Sequence, residues 1–145
     1  MNTSSAPLER FVQAQERDYA QALQELEAGQ KRTHWIWYVL PQLRELGRSQ
    51  MAHAYGISGL DEAVAYAVHP ILGPRLVESV KAILSHSGRS ATEILGDVDA
   101  LKFRSCLTLF AAAAPDEPSF PAALKAFYGG RPDEETLRLL RAGSR

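Results

Sequence analysis

Two groups of residues in this 145-residue chain have the types and spacing to do chemistry. The first is Lys31-Arg32-Thr33-His34-Trp35-Ile36-Trp37-Tyr38-Val39-Leu40-Pro41-Gln42, which holds both tryptophans. A histidine beside two cations could serve as general acid or base in a mouth that receives an anion. Trp35, Trp37 and Tyr38 could stack a base or a sugar ring. Each also has a structural reading: His34 bonded to a backbone carbonyl at a core edge, and the tryptophans as plain core. On a helix Trp35 and Trp37 point about 200° apart, so both cannot line one pocket.

The second group is Asp99, Lys102 and Ser105, which recur every three residues and share roughly one face of a helix. Asp99 at i−3 is placed to pair with Lys102. Such a pair could be a buried ion pair that specifies packing. It could instead floor a polar pocket, with Lys102 holding a phosphate or polarising a substrate. A serine–lysine nucleophile pair fits the spacing, with no other feature in its support. Gln42, Ser49 and Tyr55 flank a glycine-containing loop whose amides near Gly47 could hold phosphate, although no phosphate-loop spacing is present. His69-Pro70 reads first as a helix junction. His34, His53, His69 and His86 lack metal-ligand spacing, so no metal site is expected and no cofactor is implied.

The elements that must position these residues read as helices. Residues 1–6 are small and polar and are expected to fray. Leu8, Phe11 and Val12, then Tyr19, Ala22, Leu23 and Leu26, have helical spacing that stops at Gly29, as one helix or as two broken near Glu16 to Asp18. His34 to Leu40 predicts a short buried helix, capped by Thr33 and ended near Val39 by Pro41. One helical turn follows Ser49. Leu60 to Val68 is helical up to His69-Pro70, and Gly73-Pro74 opens a longer helix closed by Gly88. Ser90-Ala91-Thr92-Glu93 matches a capping box. A helix from Asp97 or Asp99 to Ala114 is apolar nearly all round in its second half and so belongs at the centre. Phe120 to Tyr128 and Glu134 to Arg141, the latter capped by Asp133, complete the chain. No strand pair is convincing. The expected fold is all-α: one domain over 7–141 of six to eight short helices in irregular, non-bundle packing, with a tail at 142–145.

Composition sets limits. Hydrophobic content of 46% and charged content of 23% are ordinary for a globular chain long enough to bury a core. A formal net charge of −1 disfavours a nucleic-acid partner, although Lys31, Arg32, Arg44 and Arg48 could form a small basic stripe. The single cysteine, Cys106, leaves no intrachain disulfide and no thiolate-rich zinc site. No stretch is long and apolar enough to span a membrane, and the N-terminus lacks a signal pattern, so a cytoplasmic location is the expectation.

Several segments together resemble one family. They are Phe11-Val12 with Ala14-Gln15, Glu25-Leu26 with Gly29, Lys31 with His34-Trp35-Ile36-Trp37, and Pro41-Gln42. Leu46-Gly47-Arg48-Ser49, Tyr55, Glu62-Ala63, Tyr66, His69-Pro70 and Leu72-Gly73 continue the pattern, and Asp99, Lys102, Ser105 and Thr108-Leu109-Phe110 complete it. From about Leu8 to Leu140 the chain resembles the bacterial family filed as domain of unknown function 1810. The resemblance implies a mostly helical single domain and no agreed activity. The label calpastatin, sometimes attached to members, does not suit a chain with a core. Three positions depart from the family pattern: Glu45 and Gly56 in the loop region, and Cys106, where a second serine is common. The last argues against a reactive cysteine.

These residues fit two functions. One is a pocket for a small anionic ring-containing ligand, a nucleotide or an ADP-ribose derivative, with Lys31, His34, Trp35 or Trp37, Gln42, Ser49, Tyr55, His69, Lys102 and Ser105 as binding candidates. The rhythm of aromatic helix, small loop and His-Pro helix is distantly similar to the helical NAD- and ADP-ribose-linked proteins of the YbiA type. That analogy implies N-glycosidic hydrolysis, with Asp99 stabilising an oxocarbenium-like state or positioning water and Lys102 holding phosphate; His34, from its cationic neighbours, is a further catalytic candidate. The other is a non-catalytic interaction module with a filled aromatic core. The oligomeric state is not specified by the sequence.

Overall fold

Helix α1 spans Ser5–Ala28 without interruption in the computed structural model, which describes residues 5–143. No glycine or proline lies between Glu16 and Asp18, and the glutamines, glutamates and arginines there are good helix formers. Gln15 and Tyr19 on either side are both buried on the same face, so the helix has no reason to break. The segment expected to fray overlaps α1: Ser5 and Ala6 are already helical, and positions 1–4 lie outside the described residues. At its other end Gly29 takes φ +75°, a conformation that an L side chain rarely adopts, and lets Gln30 N–H return to Glu25 O at 3.0 Å.

Eight further α-helices follow among the described residues: α2 Ile36–Val39, α3 Gln50–Tyr55, α4 Leu60–Val68, α5 Leu72–Leu84, α6 Ala91–Leu95, α7 Asp97–Ala113, α8 Ser119–Tyr128 and α9 Glu134–Gly143. A single 3-10 turn covers Arg44–Leu46. The count exceeds the expected range because Ala91–Leu95 stands as a helix of its own before Gly96. The expected C-terminal tail starts later than residue 142, since α9 runs to Gly143, and 144–145 lie outside the described residues. The Ser90 cap accepts from Glu93 N–H at 3.0 Å while Glu93 accepts from Ser90 N–H at 2.9 Å, completing the capping box. Asp133 caps α9 by accepting from Thr136 N–H at 2.9 Å.

Thr33 does not cap α2. Its hydroxyl donates to Glu25 instead, and the residue before α2 is Trp35, which gives no side-chain cap. The only β-type pairing among the described residues is a parallel bridge between Leu43 and Ile57, which closes the loop around α3.

Helix α7 is the centre, packed by α4, α6, α8 and α9. Phe103 and the run from Cys106 to Phe110 are buried, each large apolar side chain contributing about 1.5–3 kcal/mol relative to exposure. Phe110 meets Tyr66 of α4 and Phe120 of α8. Burial pushes the Cys106 thiol well above its usual range. Among the described residues, no helix is long and apolar enough to cross a membrane.

Helices α4 and α5 touch at backbone distance. A Cβ at Gly73 would stand 2.2 Å from the Ala67 carbonyl oxygen, which no side-chain rotation can relieve. Gly73→Ala should therefore force the helices apart and cost about 1–3 kcal/mol, read as a lower urea midpoint at unchanged slope.

Candidate functional site

The loop from Gln30 to Trp35 is organised by a residue to which the sequence patterns assigned no chemistry. Glu25, only 3% exposed, accepts hydrogen bonds at 2.6–3.0 Å from Arg32 N–H, Thr33 N–H, the Thr33 hydroxyl, Trp35 Nε1 and Gln21 Nε2. Burial alone would raise its pKa. The donors outweigh that effect and hold the carboxyl at about 2, below its ordinary 4.5. The available signal was a carboxylate on the apolar stripe of α1, one turn before a glycine stop and a donor-rich loop.

This arrangement fixes the first candidate group. Trp35 is 1% exposed and its indole N–H is spent on Glu25, so it is core. Lys31 stretches over the Trp35 ring and pairs with Asp99 Oδ2 at 2.8 Å, with its side chain only 6% exposed. Lys102 Nζ lies 3.9 Å from the other oxygen of Asp99. The expected i,i+3 pair is thus the weaker contact, and the carboxylate belongs first to a lysine 68 positions earlier, beyond the reach of helical spacing. Lys31 is not free to meet a ligand, nor to join a basic stripe, and Arg44 is bound to Gly56 O at 3.3 Å. His34 is exposed, and its carbonyl accepts from the Tyr38 hydroxyl. His69 takes the amides of Ile71 and Leu72 on Nδ1 at 3.1 and 3.2 Å, which makes it the cap of the α4–α5 junction. The Gly47 amide is spent on Arg44 O at 3.2 Å and is not available to phosphate.

The remaining candidates converge. Gln42, Ser49, Lys102 and Ser105 line one open cleft of about 460 Å³ between the 3-10 turn, α7 and the start of α9. Val98 and Leu101, 65% and 66% exposed, form its apolar rim. Ser49 Oγ caps α3 by accepting from Ala52 N–H at 3.1 Å, and the Ser105 hydroxyl donates to Leu101 O at 3.3 Å. Two carboxylates also line the cleft: Asp133, which accepts from the neutral amide and hydroxyl of Thr136, and Glu135, which pairs with Arg138.

Next to this cleft lies a chamber of about 10 Å³ bounded by Trp37, Gln42, Tyr55 and Lys102 among others. Gln42, Ala52 and Lys102 line both spaces. Tyr55 is held there by ring contacts with Phe11 and Tyr38. Neither lining includes His34 or Asp99.

A larger groove of about 570 Å³ runs between α4, α5 and α8, and none of the sequence candidates lines it. Its wall is mostly apolar. Its carboxylates are committed, Glu117 to Ser119 and Glu78 to the Tyr19 hydroxyl. The 460 Å³ cleft has the mixed lining and the unspent polar groups that a small-ligand site needs.

A single all-helical domain with a half-polar cleft beside its central helix is the class that fold and site define. A family described as protein of unknown function, DUF1810, matches residues 5–140, and the chain belongs to it. A crystal structure of the conserved hypothetical protein Rv1873 from Mycobacterium tuberculosis is similar at 49% identity and TM-score 0.91, covering 92% of this chain and 96% of that one. No curated protein matches the chain.

Two outcomes follow. Glu25 stabilises the fold in its ionised form, so that contribution is complete above pH 4.5 and is lost as pH falls toward about 2. Urea midpoints measured across that window should fall for the wild type, and Glu25→Gln should flatten this part of the profile while lowering stability at pH 7. Lys31→Met should destabilise by about 1–3 kcal/mol, because it removes the close partner of a part-buried carboxylate that keeps only Lys102 at 3.9 Å. Lys102→Met should cost clearly less, the reverse of the order that i,i+3 spacing alone suggests.

Proposed function

We propose that this chain is a small-ligand-binding domain whose site is the cleft between the 3-10 turn, α7 and the start of α9. The observation that carries this reading is the convergence of Gln42, Ser49, Lys102 and Ser105 on one cleft that retains unspent polar groups. Neither the Gln42 amide nor the Lys102 ammonium makes a hydrogen bond to another described residue.

The ligand is anionic and carries a ring, such as a nucleotide or an ADP-ribose derivative. Lys102 supplies the charge. The Val98 and Leu101 rim supplies an apolar surface on which a ring can lie. Binding rather than hydrolysis is what this geometry supports. Asp99, the carboxylate that N-glycosidic hydrolysis would use, is spent on Lys31 and Lys102 and is absent from the cleft wall.

A second reading, an interaction module, is favoured by a different observation. Leu60, Val64, Val68 and Ile71 are exposed at 38%, 40%, 77% and 41% at helical spacing along α4 and its end. None of these four residues lines the cleft, so Val68→Glu should remove a protein contact without touching ligand binding.

The test is a thermal-shift screen of the protein against nucleotides, ADP-ribose, NAD and sugar phosphates. A ligand at a hundredfold excess over its Kd should stabilise the fold by about 2.7 kcal/mol. Lys102→Met should abolish the shift while staying folded, and His34→Ala, outside the cleft, should keep it. No shift from any compound would overturn the reading in favour of the interaction module.

A further inference from the structure

Trp37, whose buried indole N–H has no partner, and Lys102, whose ammonium lies over the Trp37 ring, line the inner chamber together, and we infer that it takes one anionic oxygen, from a terminal carboxylate or phosphoryl group of the cleft ligand. This inference rests on the cleft reading above and specifies what the inner end of that cleft recognises.

The first ground is the state of the donors. Trp37 Nε1 is buried and has no hydrogen-bond partner among the described residues; only Arg44 Nε shares that condition. A buried donor left unpaired costs about 1–3 kcal/mol, and folded proteins keep few of them. Trp35, two residues earlier, has its own N–H satisfied by Glu25 at 2.9 Å. Lys102 Nζ sits 4.9 Å from the centre of the Trp37 ring, and its nearest carboxylate oxygen, at 3.9 Å, is beyond hydrogen-bond distance. Both residues line one space, and neither donor has an acceptor within hydrogen-bond distance among the described residues.

The second ground is charge. Lys31 and Lys102 share a single carboxylate, Asp99, and Lys31 holds it at 2.8 Å. The ammonium of Lys102 is therefore only loosely paired, at 3.9 Å from an oxygen whose carboxylate Lys31 holds closely. A water molecule would satisfy the indole N–H but not that charge. An anionic oxygen satisfies both.

The third ground is size and access. About 10 Å³ admits a single oxygen-sized group and no more. Ile36, Trp37, Leu40, Tyr55 and Gly56 line the chamber alone, whereas Gln42, Ala52 and Lys102 line both it and the cleft, where the two spaces meet. An oxygen in the chamber therefore belongs to a molecule whose remainder lies in the cleft, above Ser49 and Ser105.

The experiment uses the full chain with its tryptophans labelled with nitrogen-15, so that each indole N–H gives one resonance. Trp37 is assigned by its absence in Trp37→Phe, and the persisting Trp35 resonance reports that this variant is folded. Inorganic phosphate and acetate are titrated separately at constant ionic strength, with chloride as the control. The Trp37 resonance should shift saturably while Trp35 stays in place, and Lys102→Met should remove the saturation. Trp37→Phe should weaken phosphate or acetate binding, followed on backbone amides, by about ten- to a hundredfold. A response to phosphate alone assigns a phosphoryl oxygen, and a response to acetate alone assigns a carboxylate. A Trp37 resonance that neither anion moves, and that shows magnetisation transfer from water, would make the chamber a water site and overturn the inference. If a compound from the ligand screen shifts the amides of Ser49 and Ser105 but not the Trp37 indole, the cleft reading survives and this inference falls. If neither responds, both fall.

Discussion

The carboxylate of Glu25 holds the loop on which the candidate site depends. A buried charge is tolerated only when donors surround it, and here nearly all the donors come from the segment that follows α1. The amides of Arg32 and Thr33, the Thr33 hydroxyl and the Trp35 indole close around it. Gly29 makes this possible by reversing the chain within reach of α1. Trp35 is fixed in the core at the start of α2, while Trp37, inside α2, lies against the small chamber and under Lys102. Lys31, anchored over the Trp35 ring, delivers its ammonium to Asp99 and so ties the loop to the start of α7. The position of Lys102 against Trp37 follows from these attachments.

Most of the fold was legible because local rules were sufficient for it. Gly29, Pro41, the Ser90–Glu93 box and Asp133 each mark a boundary through chemistry within a few residues, and each boundary lies where that chemistry puts it. The continuous apolar character of Cys106 to Phe110 identified α7 as central, and it is. Thr33 was misjudged for a physical reason. A hydroxyl near a helix start is a good cap, but a buried carboxylate is a stronger acceptor, and Glu25 takes it.

The site was legible only in part. Gln42, Ser49, Lys102 and Ser105 do meet, although nothing local requires it; helix packing brings them together. The charge pairing could not be read. Asp99 and Lys102 have the right spacing, yet Lys31 arrives from the other side of the loop and takes the carboxylate at shorter range. His34 and His69 carried chemical promise because histidine is versatile, and each is exposed or engaged for reasons set by its neighbours' backbone. The DUF1810 relationship and the Rv1873 structure place the fold firmly and leave the chemistry to these particular side chains.

Cys106 lies fully buried in the middle of α7, and burial holds its thiol protonated. No thiolate forms in the native state at ordinary pH, and an alkylating reagent has no path to the sulfur. Modification must wait until the central helix comes away from its neighbours. The lone sulfur is thus a built-in clock for opening of the core: the rate at which it reacts measures how often α7 comes away from its neighbours, without any label having been added to the protein.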